Sequence, residues 1–208
     1  MHGIRRFCMV GLVLTAVVVA AGRPAFADIT FLLGNHPQAN EENILFGMSE
    51  TGNPINGHTN QSNVGVSFSS TTDVLTQVAK GQADIFPKDG LLNDIKMFVP
   101  SGTYMDAIID PQDGIDSATV TVDANDGVFT FDYSLGNGSN FLTIVASNGE
   151  TINSVAVDST GGFNNFKQPR ISGVGGGGPP QDTPEPGSLA LVAGALVPAA
   201  ALWARRRR

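Results

Sequence analysis

SATVTVDANDGVFTFDYSL, Ser117 to Leu135, alternates two kinds of residue on either side of one turn. Ala118, Val120 and Val122 interleave with Thr119 and Thr121; after Asp123 to Gly127, Phe129, Phe131, Tyr133 and Leu135 interleave with Thr130, Asp132 and Ser134. An apolar residue at every second position puts one face of an extended chain in a core and the other in water. The Asn-Asp-Gly centre tolerates the left-handed backbone that a tight hairpin needs. The stretch therefore predicts two antiparallel strands, each half-buried.

The same pattern spreads in both directions. In NVGVSFSS, Val64, Val66 and Phe68 alternate with Gly65, Ser67 and Ser69. Turn chemistry recurs in LGNGSN, Leu135 to Asn140, and in SNGE, Ser147 to Glu150, so that Ser117 to Ser159 reads as four strands in meander order. Further strand candidates are Ile29 to Leu33, Ile44 to Phe46, Ile95 to Val99 and Phe166 to Gly173, the last interrupted by Pro169, which implies an edge strand or a bulge. Thr72 to Gln82 is the one segment that fits a short helix as well as a strand. Many short strands separated by turns predict an all-β domain, an antiparallel β-sandwich of jelly-roll-like type, over residues 28–174. No internal repeat of 20 to 50 residues is visible.

Charge narrows the partners. The whole chain carries −7. The 28–174 segment is more acidic: its bases are Lys80, Lys88, Lys96, Lys167 and Arg170, while only Asp182 and Glu185 of the 19 acidic residues fall beyond Val174. Such a surface repels nucleic acid and anionic lipid, and no basic stripe offsets it.

Catalytic signatures are sparse. His36 and His58 both sit in Gly, Asn and Pro-rich stretches that read as exposed loops, and no serine lies in a nucleophile elbow. Glu41, Glu42 and Glu50 lie together early and Glu150 stands alone in a turn, and nothing distinguishes a glycosidase acid among them from surface charge. The candidate metal ligands are Asp110, Asp113 and Asp116 in DPQDGID, three apart around Gly114, with Asp123, Asn125 and Asp126 in the next turn. Carboxylates and amides on loops suit calcium, although the spacing is not that of an EF-hand and turns use the same residues. Otherwise no cofactor is expected.

The ends of the chain concern export. Arg5 and Arg6 precede the uncharged run Met9 to Ala21, and GRPAFA then places Ala25 and Ala27 before Asp28. That three-part order is a secretory signal peptide over residues 1–27, cut by signal peptidase between Ala27 and Asp28. Removing it removes Cys8, the sole cysteine. At the other end, GGGGPPQD provides a Gly/Pro linker over residues 175–182, flexible and then stiff. Pro184, Glu185 and Pro186 follow, then the uncharged Gly187 to Trp203, then Arg205, Arg206, Arg207 and Arg208. A run of that length sits at the lower limit for a helix crossing a bilayer core roughly 30 Å thick, with arginines as its cytoplasmic stop. The alternative to a transient signal is a permanent single-span anchor.

A Pro-Glu-Pro triplet, a short transmembrane helix and an arginine tail, in that order over residues 183–208, resemble the PEP-CTERM sorting signal. The resemblance implies that an exosortase of the Gram-negative inner membrane recognises Pro184, Glu185 and Pro186, that the helix holds the chain transiently, and that the product reaches the cell surface or the extracellular matrix, where such cargo is associated with biofilm polysaccharide. The module is sometimes labelled after ice-binding proteins, but Thr119 and Thr121, with Thr130 nearby, are too small an array for ice. Phe163 to Val174 resembles the closing strand of many exosortase-sorted β-domains, with Lys167 and Arg170 placed to neutralise acidic neighbours. The expectation is an exported, non-enzymatic surface or matrix protein. The alternatives are a carbohydrate-binding module, which needs exposed aromatics, and a secreted hydrolase, which needs a deep polar pocket.

Overall fold

The computed structural model describes residues 28–175. The signal peptide with Ala25 and Ala27, the linker beyond Gly175, the Pro184-Glu185-Pro186 triplet, the expected transmembrane helix and Arg205 to Arg208 lie outside the described residues.

Strands account for all regular structure among the described residues, and no helix occurs there. The first half holds β1 (Asp28–Leu33), β2 (Glu42–Phe46), β3 (Glu50–Gly52), β4 (Ile55–Thr59), β5 (Gly65–Ser69), β6 (Leu75–Gln77), β7 (Gly81–Gln82), β8 (Asp84–Pro87) and β9 (Leu92–Phe98). The second holds β10 (Asp106–Ile109), β11 (Pro111–Gln112), β12 (Ser117–Ala124), β13 (Gly127–Ser134), β14 (Leu142–Ser147), β15 (Ile152–Phe163), β16 (Asn165–Lys167) and β17 (Arg170–Ser172).

One sheet runs β1-β14-β10-β17-β2-β4-β5-β9-β15-β12-β13, with β7 attached to β2, and a smaller one runs β11-β16-β8-β6-β3. The long sheet turns a corner within β2, whose Glu42 and Asn43 pair with β17 while Ile44 and Leu45 pair with β4. Its two ends meet as side chains: Phe31 of β1 stacks on Phe131 of β13 at 5.0 Å between ring centroids. The result is a β-sandwich whose layers share one corner strand and close on the other side through aromatic contact.

The alternation read from the sequence fills the space between the layers. Ala118, Val120 and Val122 of β12, Val155 and Val157 of β15, Ile95 and Met97 of β9, and Val66 and Phe68 of β5 are all buried in one core with Ile144 and Ile171 from the opposite layer. Each of the Val, Ile, Met and Phe side chains among them contributes about 1.5–3 kcal/mol when fully removed from water. Phe68 links both sheets, tilted against Phe46 at 6.0 Å and edge-on to Phe166 of the smaller sheet at 6.3 Å.

Two expectations about the strands are corrected and one open choice is decided. Ser117 to Ser159 is not a meander, because β12 pairs with both β13 and β15, whereas β14 lies in the other layer between β1 and β10. The Leu135–Asn140 loop makes that crossing: Asn140 donates its side-chain amide to the carbonyls of Pro111, Gly136 and Gly138 and its backbone N–H to Asp110, tying the loop to the far layer. Thr72 to Gln82 contains no helix; Leu75 and Gln77 are buried while Val74 and Val78 are exposed, a period of two that makes β6. Phe166 to Gly173 is two strands rather than one. Pro169 separates β16 from β17, and the two belong to different sheets.

Candidate functional site

A polar surface with two depressions is the outer face of β5, β9, β15, β12 and β13. It follows from the same alternation: where Ile95 and Met97 point inward, Asp94, Lys96 and Phe98 point outward. Register places these residues in rows across the strands. Asp132, Thr119, Asp158 and Asp94 form one row. Thr130, Thr121, Ala156, Lys96 and Ser69 form the next. Val128, Asp123, Ser154, Phe98 and Ser67 form the third. Successive rows are about 7 Å apart along a strand.

Small side chains in the middle of this face leave two hollows. One, of about 360 Å³, is lined by Ser69, Lys96, Phe98, Asp123, Asn153 and Ser154. The other, of about 300 Å³, lies among Thr71, Thr72, Asn93, Asp94, Ser117, Thr119, Asp158, Ser159 and Thr160. Lys96 extends its ammonium over the Phe98 ring, 6.0 Å from the centroid, and the ring and this one cation both line the first hollow. Thr119 donates to Asp132 at 2.6 Å and Ser67 donates to Asn56 at 2.7 Å, which fixes the polar groups at the margins.

Asp94 and Asp158 face each other across β9 and β15 and shift in opposite directions. Burial pushes Asp158 up, and the neighbouring Asp94 charge pushes it further. Burial also pushes Asp94 up, but hydrogen bonds from Thr72, Thr71 and Ser70 outweigh it and hold that carboxyl below the usual aspartate value. Diverging carboxylates are the pattern of an acid/base pair. Here, however, both oxygens of Asp94 are engaged by the loop that follows β5: Oδ1 accepts from Ser70 and from Thr72, and Oδ2 accepts from the Thr71 amide. Asp94 is an anchor for the Ser70–Thr72 loop, which forms one wall of the second hollow.

The residues singled out in the sequence occupy other places. Asp110, Asp113 and Asp116 do not form a metal-holding group, and among the described residues no cluster of three or more His, Cys, Asp or Glu does so. Asp110 is buried and accepts from the Asn140 backbone at 2.7 Å and from the Gln112 side chain at 3.0 Å. Asp113 accepts from the Gly138 backbone at 2.7 Å and from Asn164 at 3.2 Å. Asp116 has φ +68° and its carbonyl accepts the Leu135 N–H. These aspartates fasten loops. His36 is a loop residue whose ring nitrogen bonds the Leu33 carbonyl, but His58 lies in β4, half-buried, not in a loop. Arg170 does neutralise an acidic neighbour, pairing with Glu41 at 3.0 Å and donating to Asn35 at 2.7 Å. Thr121 and Thr130 are directly paired, with Thr119 one row away, so the three threonines share the outer face.

Sequence reasoning missed Asp94, Lys96, Phe98 and Asp158. The strand expected from Ile95 onward begins at Leu92, and alternation carried back over LNDIKMF is the signal that exposes Asp94, Lys96 and Phe98 on one side. The aromatic group at Phe31, Phe131 and Tyr133 offers no platform, since Phe31 and Phe131 lie 9° from parallel and cover each other's faces.

No family model matches the chain, and no curated protein matches it. Among solved structures, a family 29 carbohydrate-binding module with one lysine replaced by alanine is similar at 11% identity and a TM-score of 0.27, over 72% of this chain and 90% of that one. A second mutant of such a module is similar at 10% identity and a TM-score of 0.26, over 71% and 90% of the two chains. The likeness is loose and sets up no correspondence between residues.

Proposed function

We propose that this chain is an exported, non-enzymatic surface or matrix protein whose jelly-roll-like sandwich holds extracellular polysaccharide on the outer face of β9, β15 and β12. One observation carries the binding part of this reading: two shallow hollows lie side by side on a rigid sheet, with Phe98, Lys96 and a margin of hydroxyls and carboxylates around small residues. A sugar ring presents apolar C–H faces and a rim of hydroxyls, so it matches one half-exposed aromatic ring next to many hydrogen-bonding groups. The hollows are open and shallow, which suits an internal stretch of a long polymer rather than a small molecule enclosed for reaction. The use of Asp94 as a loop anchor supports a non-catalytic role.

Delivery rests on the two ends of the chain. Signal peptidase acts between Ala27 and Asp28, and exosortase acts at Pro184, Glu185 and Pro186 while the helix and Arg205 to Arg208 hold the chain in the inner membrane. Intact mass of the protein recovered from its host tests this part. The expected species begins at Asp28 and ends near the triplet, and a species that retains Arg208 refutes sorting.

Binding is tested by native gel electrophoresis through gels containing soluble polysaccharides, neutral, acidic and amino-sugar types in parallel. At least one is expected to retard the protein, and Phe98→Ala to abolish most of that retardation with unchanged far-UV circular dichroism. Unretarded migration through every polysaccharide, or retardation indifferent to Phe98→Ala, refutes the assignment to this face.

A further inference from the structure

We infer that the junction of the β12–β13 turn and the β14–β15 turn is a calcium site, with Glu150 as its buried carboxylate. Glu150 has no solvent exposure. Its Oε1 accepts from the Asp126 backbone N–H at 3.1 Å, but its Oε2, equally buried, meets no hydrogen-bond donor. It is the single buried side-chain oxygen or nitrogen left in that condition among the described residues. Buried polar atoms are almost always satisfied, and a buried carboxylate facing nothing positive is strongly unfavourable. No lysine or arginine answers it, because the one ion pair among the described residues joins Arg170 to Glu41 on β17.

The bond to the Asp126 N–H sets this carboxylate against the Asn125–Asp126 turn. The Asp126 carboxylate belongs to the turn that Glu150 grips, and the Asn125 amide donates to it at 3.5 Å. Asn125 binds the other turn in return: its side-chain oxygen accepts from the Thr151 N–H at 2.6 Å, and its backbone N–H donates to the Thr151 carbonyl at 3.0 Å. Left-handed backbone at Asn148 and Gly149 in one turn, and φ +150° at Gly127 in the other, fixes the path of both. The Asn125 amide oxygen is taken up by Thr151, so the Glu150 and Asp126 carboxylates and turn carbonyls, with neither His nor Cys between Asp123 and Thr151, form an oxygen-only donor set. That set selects a hard cation, and loop carbonyls with two carboxylates suit the variable coordination of calcium better than the strict octahedron of magnesium. A cation here supplies the missing partner of Glu150 Oε2 and pins the hairpin β12–β13 to the opposite layer through β14. This site is separate from Asp110, Asp113 and Asp116, and it does not depend on polysaccharide binding.

The test uses the full chain in detergent micelles, stripped with chelator, dialysed, and titrated with calcium chloride by calorimetry and by thermal melts against a magnesium control. One calcium per chain is expected, with a Kd of about 10⁻⁴–10⁻³ M as in other extracellular sites. About 10 mM calcium should raise Tm by about 3–10 °C. Glu150→Gln, which keeps the shape and removes the charge, should lose that shift and melt no lower than the calcium-free parent; Asp126→Asn should weaken binding about tenfold. Absence of both heat and Tm shift in the parent overturns the proposal, as does a calcium shift that survives in Glu150→Gln. Should Glu150→Gln fail to fold, an Asp126→Asn variant with parental calcium affinity is the overturning result.

Discussion

Asp94→Asn separates an anchoring carboxylate from a reactive one. The side chain is only 8% exposed, and Oδ1 accepts from Ser70 Oγ at 2.7 Å, Thr72 N at 3.1 Å and Thr72 Oγ1 at 2.5 Å, while Oδ2 accepts from Thr71 N at 2.7 Å. An asparagine whose oxygen replaces Oδ1 must point its NH2 at the Thr71 N–H, donor against donor. Leaving that amide unsatisfied costs about 1–3 kcal/mol, and each of the other three bonds loses about 1 kcal/mol on passing from charge-assisted to neutral. Relief of repulsion with Asp158 returns less than about 1 kcal/mol at so exposed a partner. The net expectation is a loss of about 3–6 kcal/mol, or a Tm lowered by about 6–24 °C for a domain of this size. Urea unfolding followed by far-UV circular dichroism measures it. The folded-state carboxyl lies below its ordinary value, so its contribution is complete above the unfolded pKa and disappears as pH falls through the folded one. The deficit of Asp94→Asn should therefore be full at pH 7 and shrink below about pH 4. A deficit under about 0.5 kcal/mol at pH 7 would refute the anchoring role.

Asp158→Asn should act in the opposite direction. Its folded pKa is raised, so protonation stabilises the fold below the unfolded pKa and that advantage is lost as pH rises through the folded value. Neutralising it should add about 0.5–1 kcal/mol at pH 7 and nothing near pH 3, with a smaller gain in the Asp94→Asn background, all measurable by urea midpoints. Gly114→Ala would put a Cβ 2.4 Å from Leu135 Cδ1 and 2.5 Å from its Cβ, and the overpacking should cost about 1–3 kcal/mol in the same assay. Phe31→Ala removes the stacked partner of Phe131 at the closure of the layers; a loss of about 1–3 kcal/mol is expected, with faster amide exchange in β1 and unchanged exchange in β9.

Alternation made the strands legible and left their partners undetermined. Val120, Val122, Val66 and Phe68 are buried as a period of two demands. A period of two says which face of a strand is wet, yet it is silent about which strand lies beside it. The place of β14 is the clearest case: Leu142, Thr143 and Ile144 are buried in succession, a mark of a central strand, but the layer it joins is decided by the bonds of Asn140 to residues some 30 positions earlier. The candidate face suffered from the same blindness. Asp94, Lys96 and Phe98 come from β9 and Asp158 from β15, so their company is a fact of register, and a local reading meets each of them as an isolated surface residue. Glu150 was visible only as a turn glutamate, because its burial depends on the Asn125–Asp126 turn folding over it.

Edge chemistry bears on how such a domain behaves at high local concentration. The long sheet ends in β1 and β13, each with one neighbour only, and free strand edges invite pairing between copies. Asp28 stands at the start of β1, Asp132 lies within β13, and Asp126 flanks it, so two approaching edges meet like charges on a domain that is already strongly acidic. Phe31 and Phe131 are turned towards each other, while Leu32 and Leu33 of β1 and Val128 of β13 stay exposed. Strand addition between copies is thus opposed by charge. Under the function proposed above, association within a matrix must then run through what the outer face holds, or through cations that screen the acidic surface. The two routes differ in their response to added salt: screening restores self-association of the free protein, whereas a polysaccharide bridge requires the polymer and Phe98.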